Sequence, residues 1–528
     1  VNTLLPLFDA NGWFGCPCTG PPAFRIAADY LAHLDRLGVQ RGLVWHAEAQ
    51  QLNPITGNRR LITELRQIRD ATERLVPSFV IGAQLAYERG AVEELKTAMR
   101  SHAVRALRVF PGSLQHTLGQ LEPVIEAVLP LQPVLLFDRM DALVPNELLA
   151  LAERFPSVPM VYMQGMWPNL PTMLDLMRRR PNVLVDTSWI HTRGSIELIA
   201  RQFGAERLLF SLGFKSHAGA SIAELARVEL PDPEREKIAH GNLEKLLGLT
   251  PITASAPKRT ASLWHKLLDG QPLGVDLVDA HGHMGPLGRW VVGDREWEEQ
   301  IPDTIRRMEK IGMRTMIISG THALFGHPLE GNRLLEQQIG GYGERFRGYF
   351  VFNPFYAGEL APVFDEFFAR PFFVGFKIHT SAWRIPVTDR RFEPVWQYAH
   401  HHRLPILLHT WEGPWDTPSM LTDIVKRYPD AIFLLGHSGG GTGARPEAEQ
   451  LAIENPNVHL EWCGSFTTPL SYEETIRKVG HDRVVFGTDG ILHSFVWELG
   501  RLLSLDVPEE TLLPVLGANM RKLLSLRR

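Results

Sequence analysis

The sequence predicts an α/β protein made of two tandem (β/α)8 TIM-like barrels. Three observations carry that expectation. The chain has 528 residues, more than one core ordinarily organises. Short apolar runs alternate with longer amphipathic stretches along its whole length, the pattern of a parallel sheet or barrel. The second half also repeats the first in unchanged order, at an offset that drifts only from 270 to 277.

In the first half the expected strands are 7–10, 41–45, 79–82, 105–110, 133–137, 160–163, 183–186 and 208–210. Amphipathic stretches such as Ile26 to Leu37 and Arg60 to Leu75 lie between them and read as helices. The second half supplies 277–280, 315–318, 349–352, 374–378, 405–408, 432–435, 458–461 and 484–486. Residue matches tie the series together. Asp9 to Trp13 pairs with Asp279 to His283, and Leu121-Glu122-Pro123-Val124 with Phe392-Glu393-Pro394-Val395. Further on, Arg180-Pro181-Asn182-Val183 pairs with Asn455-Pro456-Asn457-Val458, and Gly241-Asn242-Leu243 with Ala518-Asn519-Met520. Each unit is about 250 residues, the usual size of such a barrel. The expected boundaries are 1–250 and 274–528, joined by a linker at 251–273 rich in small and polar residues.

Composition narrows the function. With 44% hydrophobic residues, 22% charged residues and a net charge of −4, the chain has no electrostatic footprint for nucleic acid. No apolar run reaches a membrane span of about 18 residues. Three cysteines are too few for a disulfide framework, and no signal peptide is legible, so a cytoplasmic protein is expected even though the sequence begins at Val1 rather than at a methionine.

The chemistry concentrates in the second unit. Asp279-Ala280-His281-Gly282-His283 ends the first apolar run, and residues i and i+2 of a strand share a face, so both imidazoles can reach one ion. Catalytic groups of a barrel come from the carboxyl ends of its strands. That rule adds Lys377 from strand four, His409 from strand five, His437 from strand six and Asp489 from strand eight. Imidazole and carboxylate donors suit zinc and similar divalent ions.

At these residues the chain resembles the amidohydrolase superfamily, in its family 2 branch. The resemblance rests on the His281-Gly282-His283 stretch, Gly375-Phe376-Lys377-Ile378-His379, Leu407-Leu408-His409-Thr410, Leu435-Gly436-His437-Ser438-Gly439-Gly440 and Phe486-Gly487-Thr488-Asp489. It implies a hydrolase in which His281, His283, His409 and Asp489 hold one divalent metal, zinc by expectation, that activates water toward an ester, lactone or amide-like bond of a small molecule. Asp489 would then carry the water's proton, with His437 as acid/base or polarising group. A carboxylated Lys377 bridging a second metal is the alternative arrangement. Within the same resemblance, non-oxidative decarboxylation of an aromatic or unsaturated acid is the alternative reaction.

Residues that follow strands are candidates for shaping the substrate pocket: Trp290, His322, Tyr356, Trp383, Arg384, Trp411, Glu412, Trp415, Phe466 and His493. Several tryptophans near one mouth favour a planar substrate, and Arg384 is suited to a carboxylate. His379, His400, His401, His402 and His459 are expected to be structural or solvated. The glycine-rich run 438–443 lacks the Lys-Ser/Thr ending of a P-loop and reads as backbone freedom beside His437.

The first unit lacks the whole set. Asn11, Trp13, Arg108, Phe137, Gln164 and Gly213 stand where the second unit has His281, His283, Lys377, His409, His437 and Asp489. A metal is therefore not expected there, and Cys16-Pro17-Cys18 reads as a reduced loop. Barrels of the branch are often homodimers, so the resemblance implies an intrachain pseudo-dimer in which the first barrel is a scaffold, with Arg139 or Arg193 as candidates to serve the second site. Further homo-oligomerisation is left open.

Overall fold

The computed structural model describes residues 5–68, 71–252, 262–287, 296–441, 443–464, 472–490 and 492–528. Trp290, Phe466 and residues 253–261 of the expected linker lie outside these residues. The chain divides into two compact units, Val1–Arg259 and Thr260–Arg528.

In the first unit the strands are β1 (Phe8–Phe14), β2 (Arg41–His46), β3 (Leu75–Pro77), β4 (Phe79–Ile81), β5 (Ala106–Val109), β6 (Val134–Asp138), β7 (Met160–Met163), β8 (Val183–Asp186) and β9 (Leu208–Leu209). Neighbours pair in parallel and in sequence order, as β1-β2-β3 and β4 to β9. The expected third strand, 79–82, corresponds to β4, and a further short strand, β3, precedes it and ends at Pro77, which has no N–H for a ladder bond. The Ser78 N–H still bonds the Val44 carbonyl at 2.8 Å, and the Ala10 N–H bonds the Phe210 carbonyl at 3.0 Å, joining the last strand to the first. The stretch 60–75, expected as one helix, is divided: the helix Pro54–Leu65 starts earlier, at a proline in its first turn, and Leu75 already belongs to β3.

The second unit is more regular. Its strands are β10 (Leu277–Met284), β11 (Met313–Gly320), β12 (Phe346–Val351), β13 (Phe373–Ile378), β14 (Pro405–His409), β15 (Ile432–Gly436), β16 (Val458–Trp462) and β17 (Val484–Phe486). All eight pair in parallel and in order. Beyond β17 the chain returns to β10: the Asp489 N–H bonds the His281 carbonyl at 2.8 Å, the His283 N–H bonds the Gly490 carbonyl, and Gly282 bridges Gly490. His281 and His283 therefore lie inside a strand rather than after it.

Strands buried on both faces read as continuous apolar runs, because helices cover the outside while side chains fill the inside. Phe8, Leu43, Ala106, Leu136, Val161 and Leu209 fill one unit, with Leu243 and Leu247 packed against them. Val278, Ile317, Tyr349, Leu407, Leu434 and Val485 fill the other, with Met520 and Leu523 in the matching role. In both units a π-helical turn, Lys237–Gly241 and Pro514–Ala518, precedes the closing helix. Among the described residues no helix is long and apolar enough to cross a membrane.

The helix Leu263–Leu268, inside the expected linker, belongs to the second unit. The Ser262 side chain caps it, and the Leu263 N–H bonds Glu509 Oε2 at 2.7 Å.

Candidate metal centre

β10 carries His281 and His283 to the centre of the second unit, and the turn after β17 brings Asp489 to meet them. Asp489 Oδ1 lies 3.0 Å from His283 Nε2 and 3.8 Å from His281 Nε2. Asp489 adopts a left-handed φ of +56°, a conformation that costs a non-glycine residue about 1–3 kcal/mol and persists only where its surroundings enforce it.

Each ligand candidate is oriented from behind. His281 Nδ1 faces Glu461 Oε2 at 2.8 Å, and His283 Nδ1 faces Ser319 Oγ at 2.9 Å, so both rings turn Nε2 toward Asp489. His493 Nε2 approaches Asp489 Oδ2 at 3.3 Å. Burial, reinforced by the Lys377 charge, pushes His281 well below the ordinary imidazole range, and burial lowers His283 against the pull of Asp489. Both rings are therefore neutral, the state that ligates metal. Burial alone would raise Asp489, but hydrogen bonds with His283 and His493 hold it well below the usual carboxylate range. Two imidazole nitrogens and an ionised carboxylate within 4.8 Å of one another fit a divalent cation.

Lys377, on β13, sits against this set with Nζ 2.7 Å from His281 Nε2. It is fully buried, and desolvation, opposed by Asp489, Cys463 and Glu461, brings it down to about 8. His409, at the end of β14, stands one ring further out. Its Nδ1 faces Asp416 Oδ2 at 2.7 Å, and its centroid is 4.8 Å from that of His437. His437 follows β15 at a φ of +63°. Its N–H bonds Glu461 Oε2 at 3.1 Å, and its Nδ1 lies 3.3 Å from the Cys463 carbonyl. Burial and the neighbouring His409 charge lower it to about 3, so the ring is neutral and leaves Nε2 to the interior.

The proposed pocket residues divide. Trp411 stacks on His409 at 6.1 Å and meets His437 edge-on at 5.7 Å. The Trp383 indole donates to the Leu324 carbonyl at 3.0 Å, and His322 is exposed beside Trp297. Arg384 is exposed, with a φ of +55°. Glu412 caps a helix instead: its carboxylate accepts the N–H groups of Gly443 and, at 3.3 Å, Ala444, where the helix Ala444–Glu454 begins. His379, expected to be structural or solvated, caps the helix Thr380–Trp383 by accepting the Ala382 N–H at 3.4 Å, and its ring stacks on His409 at 4.2 Å.

Sequence reasoning missed Glu461 and Cys463. With His281 and His437 they form a second buried group whose ligand atoms lie within 4.8 Å, Cys463 Sγ being 3.1 Å from His281 Nδ1. A signal for Glu461 existed: the repeat pairs it with Asp186, a fully buried carboxylate ending β8.

At the corresponding place in the first unit Arg108 is buried on β5. It donates to Asn11 Oδ1 at 2.7 Å and to the Ala10 carbonyl. Burial lowers its pKa, while Asp138, Asp9 and Asp186 raise it, so a guanidinium faces three carboxyls where the other unit gathers ligands. Gln164, the counterpart of His437, bonds Asp138 Oδ2 at 2.9 Å. Both metal-compatible groups found among the described residues lie in the second unit.

The barrel, the His-x-His strand and the returning aspartate define an amidohydrolase-type architecture. A family model described as amidohydrolase, of family 2, matches residues 21–249 and again residues 275–526, and the chain belongs to that family. A search of curated proteins finds no match. Among solved structures the chain is similar to 2,6-dihydroxybenzoate decarboxylase from Rhizobium, at 16% identity over 48% of this chain and 99% of that one, with a TM-score of 0.37. It is also similar to 5-carboxyvanillate decarboxylase from Sphingomonas paucimobilis, at 15% identity over 48% and 99%, TM-score 0.38. A dihydroxybenzoic acid decarboxylase from Polaromonas sp. JS666 with bound manganese gives 16% identity over 48% and 97%, TM-score 0.37.

Proposed function

We propose that the second unit is a metal-dependent hydrolase of small organic molecules and that the first is its metal-free scaffold. The observation that carries the reading is the convergence of His281 Nε2, His283 Nε2 and Asp489 Oδ1 beside a neutral His437. His281, His283 and Asp489 would hold a divalent ion, zinc in this reading, with His409 as the further ligand assigned to it, and the ion would supply Lewis acidity and lower the pKa of a water from 15.7 toward about 7. Asp489, ionised and braced by His493, would take a proton from the attacking water and return it to the leaving group. Lys377 keeps its ammonium at neutral pH and stabilises negative charge on the substrate. His437, with Nδ1 held by the Cys463 carbonyl, offers Nε2 as a proton acceptor.

A second reading is non-oxidative decarboxylation of a planar acid. It is favoured by the near-parallel rings of His379, His409 and Trp411, interplanar angles 11° and 23°, which form a flat wall beside the site. Arg384 is the residue assigned to the carboxylate. The deciding experiment loads the protein with zinc or manganese and assays ester, lactone and amide hydrolysis beside carbon dioxide release from hydroxylated aromatic acids. Hydrolysis alone supports the first reading, and carbon dioxide release alone replaces it with the second. Protein that takes up no divalent ion would overturn both.

A further inference from the structure

On the helix that follows its last strand the second unit buries charged side chains, and the corresponding helix of the first unit does not. Glu498 and Arg501, on the helix Phe495–Leu503, are 3% and 1% exposed and pair at 2.8 Å. Arg501 also lies over the Tyr472 ring at 4.7 Å, as does Arg445 at 5.0 Å, and Tyr472 stacks on Trp462 at 3.8 Å. The corresponding helix of the first unit, Ala218–Arg227, buries only Ala218, Gly219, Ala220, Ser221, Ile222, Ala223 and Leu225. A barrel of this lineage therefore folds with Ile222 and Leu225, rather than a buried ion pair, on the inner face of this helix. Taking an ion pair out of water is costly, and apolar replacements are often neutral or stabilising, so stability alone does not account for the pair.

What the pair grips is main chain. The Gly464 N–H bonds Glu498 Oε1 at 2.9 Å, and Arg501 donates to the Gly464 carbonyl at 2.8 Å, so both polar groups of one residue are fixed by one ion pair. Gly464 has a φ of +96°, and a Cβ there would lie 2.6 Å from His437 Nδ1. Its backbone is in effect one wall of the His437 ring. The carbonyl of the preceding residue, Cys463, is the partner of His437 Nδ1. The imidazole itself sits on a left-handed residue followed by another, Ser438 at +48°, and needs support from outside its own loop.

We propose that Glu498 and Arg501 are positioning residues for His437, acting through the main chain of Cys463 and Gly464. The inference rests on the role given to His437 above. Misplacing a reacting group by about 1 Å can cost on the order of 100-fold in rate, so the effect is expected in turnover rather than in substrate or metal binding.

The test uses the metal-loaded full chain. The double variant Glu498→Leu/Arg501→Leu imitates the apolar solution of the first unit. It is expected to retain its metal and a KM within about twofold while kcat falls about tenfold or more, with His437 displaced from the Cys463 carbonyl in its crystal structure. Glu498→Asp keeps the charge and shortens the reach by one methylene, so it serves if the double variant does not fold. It is expected to lower kcat about three- to tenfold at unchanged KM. A crystal structure of either variant with His437 in its original place, or an unchanged kcat, would overturn the proposal. If the wild-type protein turns over no substrate of either class, the functional reading fails separately, and the position of His437 in the variant crystals still decides this one.

Discussion

At the scale of single residues, His281 and Asn11 occupy the same place in the repeat and make opposite predictions. His281→Ala removes a nitrogen facing Asp489 and is expected to abolish both turnover and metal retention, read by elemental analysis. Asn11→Ala removes only an acceptor for Arg108, so metal content and kcat are expected to stay as they are. Asp186 makes a pH prediction. Burial raises it from 3.8 to about 7, so the folded state holds its proton more tightly than the unfolded chain does. Its contribution to stability is fully present below about pH 4 and is lost as pH rises through about 7. Asp186→Asn is expected to stabilise the protein at pH 8 and to change little at pH 4, as measured by thermal midpoints across that range. His281, His283 and Asp489, which the structure brings together, could be picked out because their types and spacing are restrictive. Glu461, Cys463 and Ser319 could not, since a residue that orients a ligand from behind is constrained by contact, which a sequence shows only through the repeat.

At the scale of elements, the duplication is written in side-chain to backbone bonds. Asn58 Nδ2 donates to the Val80 carbonyl and its Oδ1 accepts the Val80 N–H, both at 2.9 Å. Asn332 makes the same pair with Val351, at 3.0 and 2.9 Å. Each asparagine follows a glycine that a methyl group would drive into backbone: the Cβ of Gly57 would lie 2.1 Å from the Ala49 nitrogen, and that of Gly331 2.2 Å from the Ala323 nitrogen. Asn58→Ala and Asn332→Ala each leave buried backbone groups unpaired. Each is expected to cost about 1–3 kcal/mol, seen as a lower unfolding midpoint in denaturant. The motif Pro-x-x-Gly-Asn, at 54–58 and 328–332, was present in both halves of the sequence, but polar residues inside an amphipathic run do not announce a strand-locking role. The extra strand β3 was illegible for a related reason: Leu75-Val76-Pro77 is apolar enough to continue the helical period before it, and only pairing with β2 decides.

At the scale of the whole chain, the duplication predicts a stoichiometry. With ligand sets gathered in one unit and Arg108 in the middle of the other, about one divalent ion per chain is expected by elemental analysis of protein purified without chelator. Two ions would favour the carboxylated Lys377 arrangement, or occupancy of the group formed by His281, His437, Glu461 and Cys463. Twofold repetition was legible from paired motifs in constant order. The division between Arg259 and Thr260 falls inside the stretch expected as linker, and the helix Leu263–Leu268, which reads as linker in the sequence, docks through Leu263 onto Glu509.

The backbone at the aspartate turn carries a longer consequence. Gly213 and Asp489 occupy one position of the repeat with φ of +71° and +56°, yet only glycine adopts it without penalty. Asp489→Gly is therefore expected to yield a protein that melts at the same or higher temperature and does nothing. The backbone of this turn thus favours the residue that the first unit carries, and the aspartate of the second is held there against its own conformational preference.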